Sequence, residues 1–71
     1  MKEIEIYGDY IKLSQLLKFE GIAQTGGEAK IMIEEEMVWL NGTLCTERGK
    51  KCRKGDIIKV LSDPPYEGII V

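Results

Sequence analysis

Between residues 25 and 42 the chain reads Thr25-Gly26-Gly27-Glu28-Ala29-Lys30-Ile31-Met32-Ile33-Glu34-Glu35-Glu36-Met37-Val38-Trp39-Leu40-Asn41-Gly42. Two signals in this stretch decide the fold. Thr25 with Glu28 three positions later fits a capping box, in which each side chain satisfies a backbone donor left free at a helix start. The helix that follows has Ala29, Met32 and Ile33 on its buried face. After the acidic run Glu34-Glu35-Glu36 the pattern changes to apolar Met37 to Leu40, and Asn41-Gly42 separates this run from Thr43-Leu44-Cys45-Thr46. Asn-Gly between apolar runs predicts a hairpin, because both positions tolerate the positive φ of a type I′ turn. A two-residue turn sets Val38 across from Cys45, and Trp39 across from Leu44 on the opposite side. Which face meets the helices is left open.

Outward from this centre the pattern stays regular. Upstream, Leu13, Leu16 and Leu17 fall at i, i+3 and i+4, which puts them on one face of a helix starting near Lys12. Gln15 and Lys18 look outward, and Gly21 offers a left-handed stop. Earlier still, Ile4 and Ile6 alternate with Glu3 and Glu5 as a half-buried strand closed by Gly8-Asp9. Downstream, Lys54-Gly55-Asp56 turns the chain into a strand over Ile57 to Leu61, and Ser62-Asp63-Pro64-Pro65 breaks it. Ile69-Ile70-Val71 reads as a returning edge strand. The expected fold class is α+β: two short antiparallel helices packed on a small, mostly antiparallel sheet. A single domain over residues 1–71 accounts for the whole chain.

Size and composition narrow the function. A chain of 71 residues buries only ~60% of its unfolded surface, which leaves no room for a cofactor domain joined to a substrate domain. A small binding module is the expectation, with no cofactor and no small-molecule substrate. The chain has no His, which removes the commonest general base, the usual catalytic triads and most zinc sites, so an enzyme is not expected. Cys45 and Cys52 do not form a Cys-x-x-Cys pair and read as buried thiols in a reducing compartment. No apolar run approaches the ~20 residues that span a bilayer, and the amino terminus lacks the apolar stretch of a secretory signal. A cytoplasmic protein without a membrane partner is expected.

The net charge of −2 hides a segregation. Five of the ten basic residues fall in Arg48-Gly49-Lys50-Lys51-Cys52-Arg53-Lys54, which holds none of the twelve acidic ones, so this segment carries +5 and the rest of the chain −7. A loop of this density repels itself, and an anionic partner relieves the repulsion. The competing reading is a solvated loop neutralised by carboxylates such as Glu47 and Asp56. Arg48 and Arg53 can fork to phosphate oxygens, Lys50 and Lys51 act as mobile point charges, and Gly49 lets backbone approach. Three to five phosphate contacts give log affinity a slope on log salt of roughly −2 to −4.5, at ~0.7 to 0.9 per phosphate. Gly26-Gly27 admits two readings as well: a phosphate approaching helix N–H groups, or a plain turn between antiparallel helices.

Taken in order, four segments resemble the S4 RNA-binding domain, or alpha-L motif. They are the helix Leu13 to Phe19; Thr25-Gly26-Gly27-Glu28-Ala29-Lys30; Val38-Trp39-Leu40-Asn41-Gly42; and Arg48-Gly49-Lys50-Lys51 followed by Gly55-Asp56-Ile57. The motif core spans about residues 12–61, and a single module with short flanking strands is most similar to the small stand-alone S4 proteins of the YaaA type. The resemblance implies a structured RNA partner, rRNA or tRNA, and a place on a ribosomal particle. It implies contacts from Thr25, Gly26, Gly27 and Lys30 at the start of the second helix, from Arg48, Lys50, Lys51, Arg53 and Lys54 in the basic loop, and secondary ones from Lys12 and Lys18. Three positions depart from the family pattern. Glu36 stands where Gly is usual, which implies a strained or differently shaped turn. Ile31 and Glu34-Glu35-Glu36 confine the footprint on the second helix to its first turn. Cys52 replaces an aliphatic residue, in keeping with a core thiol.

Other readings need different features. A protein–protein adaptor uses the same loop for an acidic partner. A β-grasp sulfur carrier shares the Asn-Gly hairpin and a late Gly-Asp but requires a terminal Gly-Gly, whereas this sequence ends Gly68-Ile69-Ile70-Val71. Trp39 reads as packing, with base stacking as the alternative.

Overall fold

A computed structural model describes all 71 residues, Met1–Val71. In chain order the elements are β1 (Lys2–Ile4), β2 (Ile11–Lys12), α1 (Leu13–Phe19), α2 (Gly26–Glu34), β3 (Val38–Leu40), β4 (Thr43–Leu44), β5 (Lys51–Cys52), β6 (Ile57–Val60) and β7 (Tyr66–Ile70). Five strands form one sheet in the order β1-β7-β6-β3-β4, and β2 and β5 form a separate antiparallel pair. Every pairing in the large sheet is antiparallel except β1 with β7. The fold is therefore the α+β arrangement read from the sequence. No helix is long and apolar enough to cross a membrane.

The helical periodicity becomes the core. Leu13, Leu16 and Leu17 of α1 and Ala29, Met32 and Ile33 of α2 are buried, and they meet Ile4, Val38, Leu40, Ile58, Val60 and Ile70 from the sheet. No polar or charged residue is buried. The face left open by the sequence is thereby fixed: Val38 and Leu40 point inward, and Trp39 lies half-buried on the outer face with Leu44 and Lys59 as cross-strand neighbours.

The turns follow their residues. Asn41 and Gly42 take φ of 53° and 79°, Trp39 pairs with Leu44, and the Cys45 N–H donates to the Val38 carbonyl at 2.9 Å. Asn41 does more than turn the chain. Its side chain donates to Asp56 Oδ1 (2.9 Å) and accepts from the Ile57 N–H (2.8 Å), which ties the hairpin tip to the start of β6. At α2 the Thr25 hydroxyl accepts the Glu28 N–H at 3.1 Å, while the reciprocal half of the box is not made.

One strand differs from expectation. The carboxy-terminal strand is longer than Ile69 to Val71 and lies inside the sheet, paired with β6 on one side and β1 on the other. Its neighbour β1 joins in parallel and so without a hairpin turn, the signal that would have announced the pairing. Gly68 permits the close packing there, since a Cβ at this position would sit 2.8 Å from both Ile4 Cδ1 and the Tyr66 hydroxyl. Tyr66 also donates to Glu20 Oε1 at 2.8 Å, and Lys2 approaches the same oxygen at 2.9 Å, joining the end of α1 to two strands.

Glu36 shows the strain that its position implies. The Glu36 N–H donates to the Ile33 carbonyl and the Met37 N–H to the Met32 carbonyl, both at 3.2 Å, which is a Schellman closure of α2 with Glu36 in the left-handed residue at φ 60°. A non-glycine residue there costs ~1–2 kcal/mol, and its negative charge opposes the helix dipole. Glycine loses ~0.5–1 kcal/mol to chain entropy, so Glu36→Gly is expected to stabilise the fold by about 0.5–1 kcal/mol, read as a higher urea midpoint at unchanged m-value.

Candidate functional site

The start of α1 lacks a side-chain cap: its N-cap residue is Lys12, which cannot accept a hydrogen bond through its side chain. The basic segment supplies the acceptors instead. The Leu13 N–H donates to the Lys50 carbonyl at 2.8 Å and the Ser14 N–H to the Arg48 carbonyl at 3.1 Å. Beside these bonds β5 pairs with β2, Ile11 opposite Cys52 and Lys12 opposite Lys51. The segment expected to be a loop is thus partly a strand. Cys52 points into the core and is fully buried, so Lys51 and Arg53 on either side of it point out.

All eleven candidate residues, Lys12, Lys18, Thr25, Gly26, Gly27, Lys30, Arg48, Lys50, Lys51, Arg53 and Lys54, are exposed. The fold draws some of them together. Lys12 and Lys51 become cross-strand neighbours, a like-charge pairing that is unfavourable without an anion. Lys30 and Arg48 line one cleft between α2 and the basic segment, with Glu34, Thr46, Glu47 and Gly49. Lys18 lies on the last turn of α1, and Lys54 on the turn before Gly55.

Nearby carboxylates make no direct ion pair with the segment. The only ion pairs within 4.0 Å are Lys2 with Glu20 and Lys30 with Glu34, the latter at 3.9 Å. Asp56 is occupied otherwise, one oxygen accepting from Asn41 and the other from the Arg53 main-chain N–H at 2.7 Å. The five cations of residues 48–54 make no ion pair within 4.0 Å, although Glu34 and Glu47 line the same cleft as Arg48.

Gly26 and Gly27 are the first residues of α2 rather than a turn. Neither has positive φ, and a Cβ would meet nothing within 4 Å of Gly26 and only the Thr25 hydroxyl, at 3.8 Å, near Gly27. Packing does not require glycine at either position. The reversal between the helices is made by Gly21, at φ 73°.

A residue absent from the sequence reading completes the site. Tyr10 precedes Lys12 by two positions, and its ring lies 4.8 Å from Lys51 Nζ and 5.6 Å from Arg53 Cζ, both within cation–π range. The aromatic ring beside the cations is Tyr10, whereas Trp39 lies on the outer face of the sheet, its indole N–H buried without a partner. Only the alternation Tyr10-x-Lys12 hinted at a shared face; the pairing with residues 51–53 is non-local.

The S4 domain family model matches residues 4–67, which takes in both helices, the hairpin, the basic segment and β6, and reaches the last residue of β1 and the first two of β7. The chain belongs to the S4 domain family. It is also similar to the probable ribosome maturation protein RlbA of Bacillus subtilis (strain 168), with 35% identity over 57 residues that cover 80% of each chain. The S4 match begins at Ile4 of β1, well before the motif core at about residue 12.

Within this S4 domain the cysteine among the cations is chemically quiet. Burial, then the charges of Asp56 and Cys45, push the Cys52 thiol from 9.0 up to about 12, against a smaller opposing effect of Lys50. The thiol is protonated at neutral pH and donates weakly to the Lys50 carbonyl at 3.7 Å. A thiol with a raised folded value contributes stability that is complete below pH 9 and lost as pH rises toward 12. Tyr66 is also pushed upward, by burial and by its bond to Glu20, so it adds a loss of the same sign above pH 10. Cys52→Val is therefore expected to flatten the decline in urea midpoint between pH 9 and 12 by about one proton's worth, leaving the Tyr66 portion.

Proposed function

We propose that this S4 domain is a non-catalytic RNA-binding module, ribosome-associated and cytoplasmic, that recognises structured rRNA or a tRNA-like fold by shape and phosphate position. The observation that carries the reading is the basic segment of residues 48–54, whose cations make no direct ion pair while its backbone is fixed to the start of α1. Membership of the S4 family and a relative named as a ribosome maturation protein support it.

The division of labour follows from side-chain chemistry. Arg48 and Arg53 fork to phosphate oxygens, and Lys12, Lys50, Lys51 and Lys54 add point charges. Across the cleft from Arg48, Lys30 with the bare first turn of α2 at Thr25, Gly26 and Gly27 forms the second contact. Lys18 lies at the margin. A-form RNA exposes phosphates and 2′-hydroxyls more than base edges, so sequence selectivity on paired regions is low. The acidic remainder of the molecule repels a polyanion and limits how it can approach.

Anisotropy titration of the full chain with a structured rRNA fragment tests the reading. Lys50→Glu with Lys51→Glu is expected to weaken binding at least ~10-fold and to make the salt slope shallower by about 1.4–1.8, two phosphates at ~0.7–0.9 each. Unchanged affinity and slope would remove the segment from the interface. Association with an acidic protein that survives nuclease treatment, without RNA binding, would favour the adaptor.

A further inference from the structure

The aromatic residues left on the surface gather in one place. Tyr7 is 86% exposed, Phe19 62% and Tyr10 40%, and Phe19 is the only phenylalanine in the chain. Phenylalanine is normally among the buried residues, whereas the aliphatic core here contains no aromatic side chain. Tyr7, Tyr10 and Phe19 line a single shallow recess of about 190 Å³ floored by Ile6 and Ile11, with Glu5 its one charged residue. Tyr10 belongs to two structures at once: it forms a wall of this recess and takes the cations of Lys51 and Arg53 against its ring. Lys12, opposite Lys51, adjoins the same face.

An open aromatic surface beside a row of cations is the arrangement that holds single-stranded nucleic acid, with bases on the rings and phosphates on the cations. A base inside an A-form helix cannot reach such a surface, because its faces are stacked. Glu5 repels phosphate, so the recess admits a base and leaves the backbone to the cations. We propose that this recess takes an unpaired base of the bound RNA, a bulged or loop nucleotide, stacked on Tyr10 and Phe19, with its flanking phosphates on Lys12, Lys51 and Arg53. The inference rests on the RNA-binding reading and adds to it a structural feature that the RNA must have.

The test uses the full chain and two RNA duplexes of the same sequence, one fully paired and one with a single bulged 2-aminopurine. Stacking of about 1–3 kcal/mol corresponds to a preference of about 5- to 150-fold for the bulged RNA, accompanied by quenching of the 2-aminopurine fluorescence. Tyr10→Ala and Phe19→Ala each reduce the preference and the quenching, and Tyr10→Phe restores them. Phe19 makes no cation contact, so its variant separates stacking from any disturbance of Lys51 and Arg53. Equal affinity for the two RNAs, or binding of the bulged RNA without quenching, overturns the inference and leaves the RNA-binding reading intact. Binding of neither RNA overturns both. Loss of a protein partner in the Tyr10 and Phe19 variants, with the RNA preference unaltered, assigns the patch to protein docking and also overturns it.

Discussion

Two main-chain hydrogen bonds, from Leu13 and Ser14 to the carbonyls of Lys50 and Arg48, organise the proposed RNA-binding surface. A helix start presents free N–H groups that must find acceptors, and most helices find them in a neighbouring serine, threonine, asparagine or aspartate. Lys12 stands at that position in α1 and has no acceptor in its side chain. The carbonyls of the basic segment take that role, and in doing so they fix a stretch that would otherwise extend under its own repulsion. With its carbonyls turned to the helix and Cys52 sunk in the core, the segment has its cationic side chains facing water.

The same economy governs the acids. Asp56, the carboxylate nearest in sequence to Arg53 and Lys54, has both oxygens engaged by Asn41 and the Arg53 main chain, so it shapes the turn without forming an ion pair with either side chain. Glu20 is held by Tyr66 and Lys2 at the far end of α1. Glu34, Glu35 and Glu36 cluster at the carboxy-terminal end of α2, away from its Gly-Gly start. Charge segregation in the sequence is only partly kept in space, since Glu34 and Glu47 line the cleft that holds Lys30 and Arg48, and the left-handed Glu36 is a local cost at the end of α2.

What the residues disclosed in advance depended on whether a feature was local. Both helices and the hairpin announce themselves within a few residues, through Leu13-Leu16-Leu17, Thr25 with Glu28, and Asn41-Gly42, and each appears where its pattern lies. The β1–β7 and β2–β5 pairings join short segments far apart in the chain with no turn between them, so nothing local reports them. The last strand therefore reads as an edge from local pattern alone, and Tyr10 carries no local signal: its place beside the cations exists only once β5 has docked on β2. Gly26 and Gly27 illustrate the converse, since the sequence allowed them to serve as a turn and only their helical conformation, with open space around them, removes that role.

Amide chemical-shift mapping of the full chain during titration with a structured rRNA fragment tests the central claim most directly. The account predicts that the largest changes fall on Lys12, the first turn of α2 and Arg48 to Lys54, and that they fade as salt is raised, while Trp39, Leu44 and Lys59 on the outer sheet face stay in place. Changes centred on that outer face, with the amides of residues 48–54 unmoved, would contradict it.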